Sequence, residues 1–335
     1  MVGLGVFFAV LSGISNGLFT APMKVIPRWK WENIWIVFIL TACLLIPGAV
    51  VFATIGAPGV VFAQAPRSAV ACALGFGFAW GFGAILFGLS VDRLGVSLAN
   101  SMVLGVSSAM GSLVPLILRG AIRLEVRQVM LFGGVLAFLG GVSLCGAAGR
   151  MRDRGAAGEA ARPSWRGYLF AAGAGVMSAV FNIGYSLALP IADAGERLGF
   201  RRFLATNCIW LLMLGAGAIP NIVYCGSLLK RHRAFGLFFA PSPQKTWGLS
   251  ILMGVLWASS IFLYGAATPL LGDIGPSIGW PLCLAVGLVV ANVMGLLLGE
   301  WKLVAPEAGQ RMRAGVILML AAIVLCAFAA NAGGS

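Results

Sequence analysis

Charge is what this sequence has least of. Asp, Glu, Lys and Arg make up 10% of its 335 residues and hydrophobic residues 60%, whereas a soluble globular domain carries roughly 25% charged residues. A fold in water could not cover itself with so few ions without exposing large apolar patches, so a soluble globular class is excluded. The deficit is also concentrated. Ten stretches hold no charged residue at all: 1–23, 33–66, 68–91, 94–118, 128–149, 167–192, 203–229, 246–272, 274–299 and 314–335. About 20 apolar residues cross a hydrocarbon core roughly 30 Å thick, and an ion inside that core costs several kcal/mol. The pattern therefore predicts an all-α integral membrane protein with ten transmembrane helices, its charges confined to the connections.

Other absences narrow the function. The chain has one histidine, His232, set between Arg231 and Arg233, and no carboxylate inside an apolar run. A His-based triad, a zinc site or an intramembrane aspartyl dyad cannot be assembled from that inventory, so no enzyme, catalytic residue, metal or bound cofactor is expected. The seven cysteines all sit inside apolar runs, are odd in number and form no Cys-x-x-Cys pair; they read as small packing residues. No Lys or Arg precedes the first run, which thus lacks the basic segment of a cleavable signal peptide and is expected to stay as the first helix. A net charge of +13 does not point to nucleic acid, because basic residues gather in cytoplasmic loops of multi-pass proteins. Lys and Arg number 16 in the odd-numbered connections and 7 in the even ones, which predicts odd connections in the cytoplasm and both termini outside.

What is present suggests an internal repeat. The arginine-rich connector 150–166 leaves five runs before it (1–149) and five after it (167–335). Two related five-helix units would have opposite orientations in the membrane, the inverted-repeat plan of many secondary transporters. A weak self-similarity fits this. Trp80, Gly88, Leu94 and Gly95 recur at a constant offset of 177 as Trp257, Gly265, Leu271 and Gly272, with Phe87 and Tyr264 matched as aromatics; Ser12 and Asn16 recur at an offset of 166 as Ser178 and Asn182. Glycine numbers 47, which predicts closely approaching helix seams.

Polar groups deep in the runs are few and each needs a partner in lipid. They include Asn16, Asn182, Tyr185, Asn207, Tyr264 and Asn292. Trp29, Trp31, Trp35, Trp165, Trp247 and Trp301 fall at run ends and read as interface anchors, whereas Trp80, Trp257 and Trp280 lie deeper. Amides, hydroxyls and aromatic rings without fixed charge suit a small neutral polyhydroxy ligand, so Asn16, Trp80, Asn182, Trp257, Tyr264, Trp280 and Asn292 are the expected binding residues. Prolines 22, 47, 115, 190, 269, 276 and 281, in or at the ends of runs, are expected to break or kink helices near the cavity. The short segment 272–276 predicts a tight hairpin between helices eight and nine.

Several stretches resemble the L-rhamnose/proton symporter family, a ten-helix branch of the drug/metabolite transporter superfamily. They are Ala21-Pro22-Met23-Lys24 followed by Trp29-Lys30-Trp31-Glu32 and Trp35; Trp80-Gly81-Phe82-Gly83 leading to Gly88-Leu89-Ser90 and Leu94-Gly95-Val96-Ser97; and Gly299-Glu300-Trp301-Lys302. The resemblance implies a multi-pass carrier of the bacterial inner membrane, two inverted five-helix repeats, uptake of a deoxy sugar driven by the proton gradient, and a monomer or homodimer. It departs at Ala84, Leu86 and Phe87, where members carry Asn and Tyr. A symporter needs a titrating group, and with none inside a run the candidates are Lys24, Glu32, Asp92, Asp273 and Glu300 at run ends. Other readings are a drug/metabolite exporter and a membrane sensor that binds without transporting.

Overall fold

A computed structural model describes residues 2–94, 96–118, 120, 122, 125–157, 165–239, 243–297, 299, 301 and 304–332. Among them are ten helices long and apolar enough to cross a bilayer, one for each charge-free run: Val2–Met23, Trp31–Thr54, Arg67–Val91, Leu98–Leu118, Val126–Arg152, Trp165–Arg197, Arg202–Arg231, Gln244–Leu270, Gly275–Leu297 and Pro306–Asn331, here spans 1 to 10. Cross-links between connections define two faces. On the odd face Trp29 Nε1 donates to Leu237 O at 2.9 Å, tying connection 1 to connection 7, and the Arg152 guanidinium lies 5.3 Å from the Trp301 ring centre. On the even face Arg127 Nη2 donates to Leu271 O at 2.8 Å and Asn207 Nδ2 to Thr54 Oγ1 at 3.1 Å.

Prolines act less uniformly than expected. In span 2 a π-helical turn, Leu40–Leu45, separates two α-helical pieces just before Pro47, which has no N–H to give and whose ring crowds the carbonyl four residues back. Span 6 kinks at Leu189, where Pro190 opens a short terminal helix, Pro190–Arg197. By contrast Pro115, Pro220, Pro269 and Pro281 lie inside continuous helices. One interruption carries no proline: span 3 divides at Phe82 into Arg67–Gly81 and Gly83–Leu94. There the Phe82 N–H turns to Ala79 O at 3.2 Å, and a Cβ on Gly81 would stand 2.5 Å from Gly217 O of span 7. Close approach to span 7 holds Gly81 where the helix tightens. The hairpin between spans 8 and 9 forms as expected, with Gly272 at φ +84°.

The principal packing partners are span 1 with spans 8 and 9, span 6 with spans 3 and 4, span 7 with spans 2 and 3, span 2 with span 8, span 4 with 5, span 9 with 10, and span 5 with span 10. Exchanging every span for the one five places along leaves this set unchanged, whereas the packing of span 6 on span 7 has no comparable counterpart between spans 1 and 2. Glycine makes the seams, since lipid offers no hydrophobic drive and contact depends on close van der Waals fit. A Cβ on Gly141 would lie 2.8 Å from Gly315 O, and one on Gly315 would lie 2.8 Å from Gly141 O. Two apolar clusters result: a large aromatic one at the centre, and a smaller one of Leu271, Ile274, Ile278 and Leu282 with residues of spans 1, 4, 5 and 10 toward the even face.

Candidate functional site

Spans 1, 2, 3, 4, 6, 7, 8 and 9 enclose a central cavity of about 250 Å³, slightly below the roughly 300–1,000 Å³ usual for ligand pockets. Its walls reach the odd-face ends of spans 1 to 4 at Phe19, Trp35, Phe87 and Asn100, and stop on the other side at Tyr264 and Trp280. Among the described residues no charged side chain lines it. The break in span 3 puts Gly83, Ala84 and Phe87 on the wall.

Aromatic rings dominate the interior. Trp80 and Trp257, alike in their spans, stack on each other at 5.4 Å with planes 12° apart, and Phe181 tilts against Trp80 at 4.8 Å. The polar groups divide into those already engaged and those that are not. Asn221 donates to Gly81 O and Gly217 O at 3.0 and 3.1 Å and accepts from Trp35 Nε1 at 3.1 Å. Ser12 Oγ donates to Ser260 O at 2.8 Å and lies 3.0 Å from Cys283 Sγ; Ser107 Oγ donates to Ser178 Oγ at 2.8 Å. Asn16 and Asn100 line the cavity with no side-chain hydrogen bond among the described residues.

Behind Tyr264 lies a buried polar layer. Asn182 Nδ2 donates to Gly111 O at 2.8 Å and Pro276 O at 3.1 Å. The Tyr264 hydroxyl donates to Asn182 Oδ1 and reaches Pro276 O at 3.2 Å. Tyr185 stacks on Trp210 at 4.3 Å, and its hydroxyl bonds Thr268 Oγ1 at 2.5 Å and Gly265 O at 3.2 Å. Four spans, 4, 6, 8 and 9, are joined through this layer.

Of the expected binding residues, Asn16, Trp80, Trp257, Tyr264 and Trp280 meet in the cavity. Asn182 stands one residue behind it, fully buried. Asn292 is not brought to the others: its Nδ2 donates to Leu288 O at 2.8 Å, and it lines a separate groove with Trp301, Gln310 and Arg313 between spans 9 and 10. Helical depth alone could not tell which way that amide points. Trp35 is also not an interface anchor; it stacks on Trp31 at 5.1 Å and lines the cavity. The sequence reading missed Asn100 and Asn221, whose only signal was an amide within a charge-free run.

The titratable candidates fall far apart. Glu32, 4% exposed, is the one buried carboxylate among the described residues; its Oε1 lies 2.7 Å from Nδ1 of His232, the chain's single histidine. It sits one helical turn beyond Trp35. Asp273 is on the even face, beside the carbonyl that Arg127 holds. The side chains of Lys24 and Asp92, and all of Glu300, lie outside the described residues.

The fold and the sequence both have known counterparts. A crystal structure of another protein superposes with a TM-score of 0.62 over 100% of this chain and 99% of its own, at 18% identity, which shows a shared fold. The L-rhamnose-proton symporter of Escherichia coli (strain 55989 / EAEC) is 26% identical over 320 residues, 92% of each chain. That of Yersinia pestis (strain Pestoides F) is 26% identical over 312 residues, 89% of this chain and 90% of its own. The family model described as L-rhamnose-proton symport protein matches residues 1–333, and by that match over almost its full length the chain belongs to the L-rhamnose-proton symport protein family.

Proposed function

We propose that this chain is a secondary-active carrier of the bacterial inner membrane that takes up a small neutral sugar, L-rhamnose or a related deoxy sugar, together with a proton. The observation that carries the reading is the uncharged cavity in the middle of ten spans, walled by stacked tryptophans and edged by unengaged amides. Ring faces suit the C–H faces of a sugar and amides suit its hydroxyls, while a charged ligand would find no counter-ion among the described residues there. Membership of a family whose relatives are named as L-rhamnose-proton symporters supports the same substrate class.

Alternating access follows from two inverted five-helix repeats, 1–149 and 167–335. Their support is the pairing of helices that survives a shift of five, and the Trp80 to Trp257 stack between corresponding positions. The basic odd connections belong in the cytoplasm, so the cavity described here faces inward. For the proton, burial and its histidine partner favour Glu32 over Asp273.

Uptake of labelled L-rhamnose, fucose and other monosaccharides into vesicles, compared with hydrophobic amines, tests the substrate. Accumulation is expected for a deoxy sugar and is expected to vanish when the pH gradient is collapsed. Counterflow of labelled sugar is expected too; binding without counterflow would make the protein a sensor, and transport of amines alone would make it an exporter.

A further inference from the structure

A second cavity lies across the buried polar layer from the first. It occupies about 480 Å³ on the even face and is lined by Asp193, Arg202, Thr268, Asp273 and Pro276 among others. Thr268 and Pro276 line this vestibule, Tyr264 lines the central cavity, and the Tyr264 hydroxyl bonds the Pro276 carbonyl directly. The two spaces are therefore separated by one layer of side chains: Asn182, Tyr185, Tyr264 and Thr268, each no more than 1% exposed. Hydrogen bonds tie that layer together, beside ring contacts of Tyr185 and Tyr264 with each other and with Trp210 and Trp280.

The corresponding layer toward the odd face is chemically different. At the offset of 166 that relates Asn16 to Asn182, Tyr185 corresponds to Phe19; at the offset of 177 that relates Trp80 to Trp257, Tyr264 corresponds to Phe87 and Thr268 to Val91. Each hydroxyl of the even-face layer is thus matched by an apolar side chain on the odd side. Phe19 and Phe87 line the wide end of the central cavity, and an opening between phenyl rings breaks no hydrogen bond.

We propose that Asn182, Tyr185, Tyr264 and Thr268 form an even-face gate that selects polyhydroxy ligands by hydrogen-bond exchange, the odd-face layer taking no part in that selection. This rests on the sugar-carrier reading above. Parting the layer leaves an amide, two phenols, a threonine hydroxyl and backbone carbonyls without partners, and a buried polar group left unpaired is costly. A ligand rich in hydroxyls arriving in the vestibule replaces those bonds one for one as the layer parts. A solute of the same size with fewer hydroxyls leaves some unmade and opens the gate rarely. Selection thus precedes entry into the central cavity, which explains why that cavity can remain largely aromatic.

Thiol labelling tests the barrier independently of any substrate. Cys72 is the one cysteine that is not buried, so in a Cys72→Ala chain a thiol is placed in the vestibule (Leu187→Cys) or in the central cavity (Ala84→Cys). An impermeant maleimide is then applied from each face in oriented vesicles. From the even face it is expected to label the Leu187→Cys chain and not the Ala84→Cys chain. Adding Tyr264→Phe, which removes the hydroxyl and keeps the ring, is expected to raise even-face labelling of Ala84→Cys by about fivefold, the equivalent of one hydrogen bond. Tyr185→Phe serves as a second variant should the first not reach the membrane. Even-face labelling of Ala84→Cys as fast as Leu187→Cys, or labelling unmoved by either tyrosine change, would overturn the gate. Selection is read from competition of L-rhamnose against analogues lacking further hydroxyls: its preference is expected to fall about fivefold in Tyr185→Phe, whose ring does not line the central cavity, and to hold in Val91→Ala. The reverse pattern overturns the assignment. A wild-type chain that moves no monosaccharide removes the sugar reading and the selection with it, while the labelling contrast still decides whether the layer is the barrier.

Discussion

At the scale of single residues, the molecule depends on polar groups that have their partners and a few that do not. Asn182 spends its amide on two backbone carbonyls of spans 4 and 9 and accepts from Tyr264. Asn182→Ala leaves those partners buried and unpaired, so a loss of about 2–4 kcal/mol is expected. A lower melting temperature in detergent checks it, and an unchanged one would contradict the geometry. Trp80 makes stacking contacts with Trp257 and Phe181 and faces the cavity, so Trp80→Ala is expected to lower kcat/KM for uptake about tenfold, read from initial rates in vesicles. Glu32→Gln keeps a hydrogen bond to His232 but carries no titrating proton. It is expected to retain counterflow while losing accumulation driven by a pH gradient; full accumulation would move the coupling elsewhere. Part of this site was legible beforehand. Depth and repeat pairing found Asn16, Trp80, Trp257 and Tyr264, because those positions combine an unusual residue type with the middle of a run. Asn292 had the same signature and points to another groove, because helical rotation and not depth decides which surface a side chain serves.

At the scale of helices, contact is set by where side chains are missing. Gly315 and Gly141 face each other at the seam of spans 5 and 10, and a Cβ on Gly315 would also lie 2.6 Å from Cys145 Sγ. Gly309 stands earlier in the same helix, where an added Cβ would meet nothing within 4 Å. The two alanine substitutions are therefore expected to act in opposite directions. Gly309→Ala gains up to about 1 kcal/mol from reduced backbone entropy and better helix propensity, and Gly315→Ala loses about 1–3 kcal/mol to overpacking. Thermal melts of the two in one detergent provide the comparison. Helix existence was readable from charge exclusion, with all ten spans in place. Helix interruption was only partly readable: the chemistry of Pro47 and Pro190 is local and Gly81 and Gly83 flank the division at Phe82, but the close approach of Gly81 to Gly217 of span 7 is a tertiary contact.

At the scale of the whole molecule, the distribution of Lys and Arg predicts the orientation. Cysteines introduced one at a time into connection 5 and into the hairpin 271–274 are expected to react with an impermeant reagent from opposite sides, cytoplasmic for connection 5; reactivity from the same side would break the ten-span topology. The sequence by itself determined the solvent, the number of spans and the uncharged interior of those spans, because the cost of an ion in hydrocarbon is so large that it is written into every stretch of the chain. Tertiary structure alone decided which buried amides meet, that two tryptophans 177 positions apart stack on each other, and that Asn182, Tyr185, Tyr264 and Thr268 join in one hydrogen-bonded layer. Those depend on how helices rotate and approach within the bundle, where a few tenths of an ångström at a glycine outweigh any preference of the local sequence.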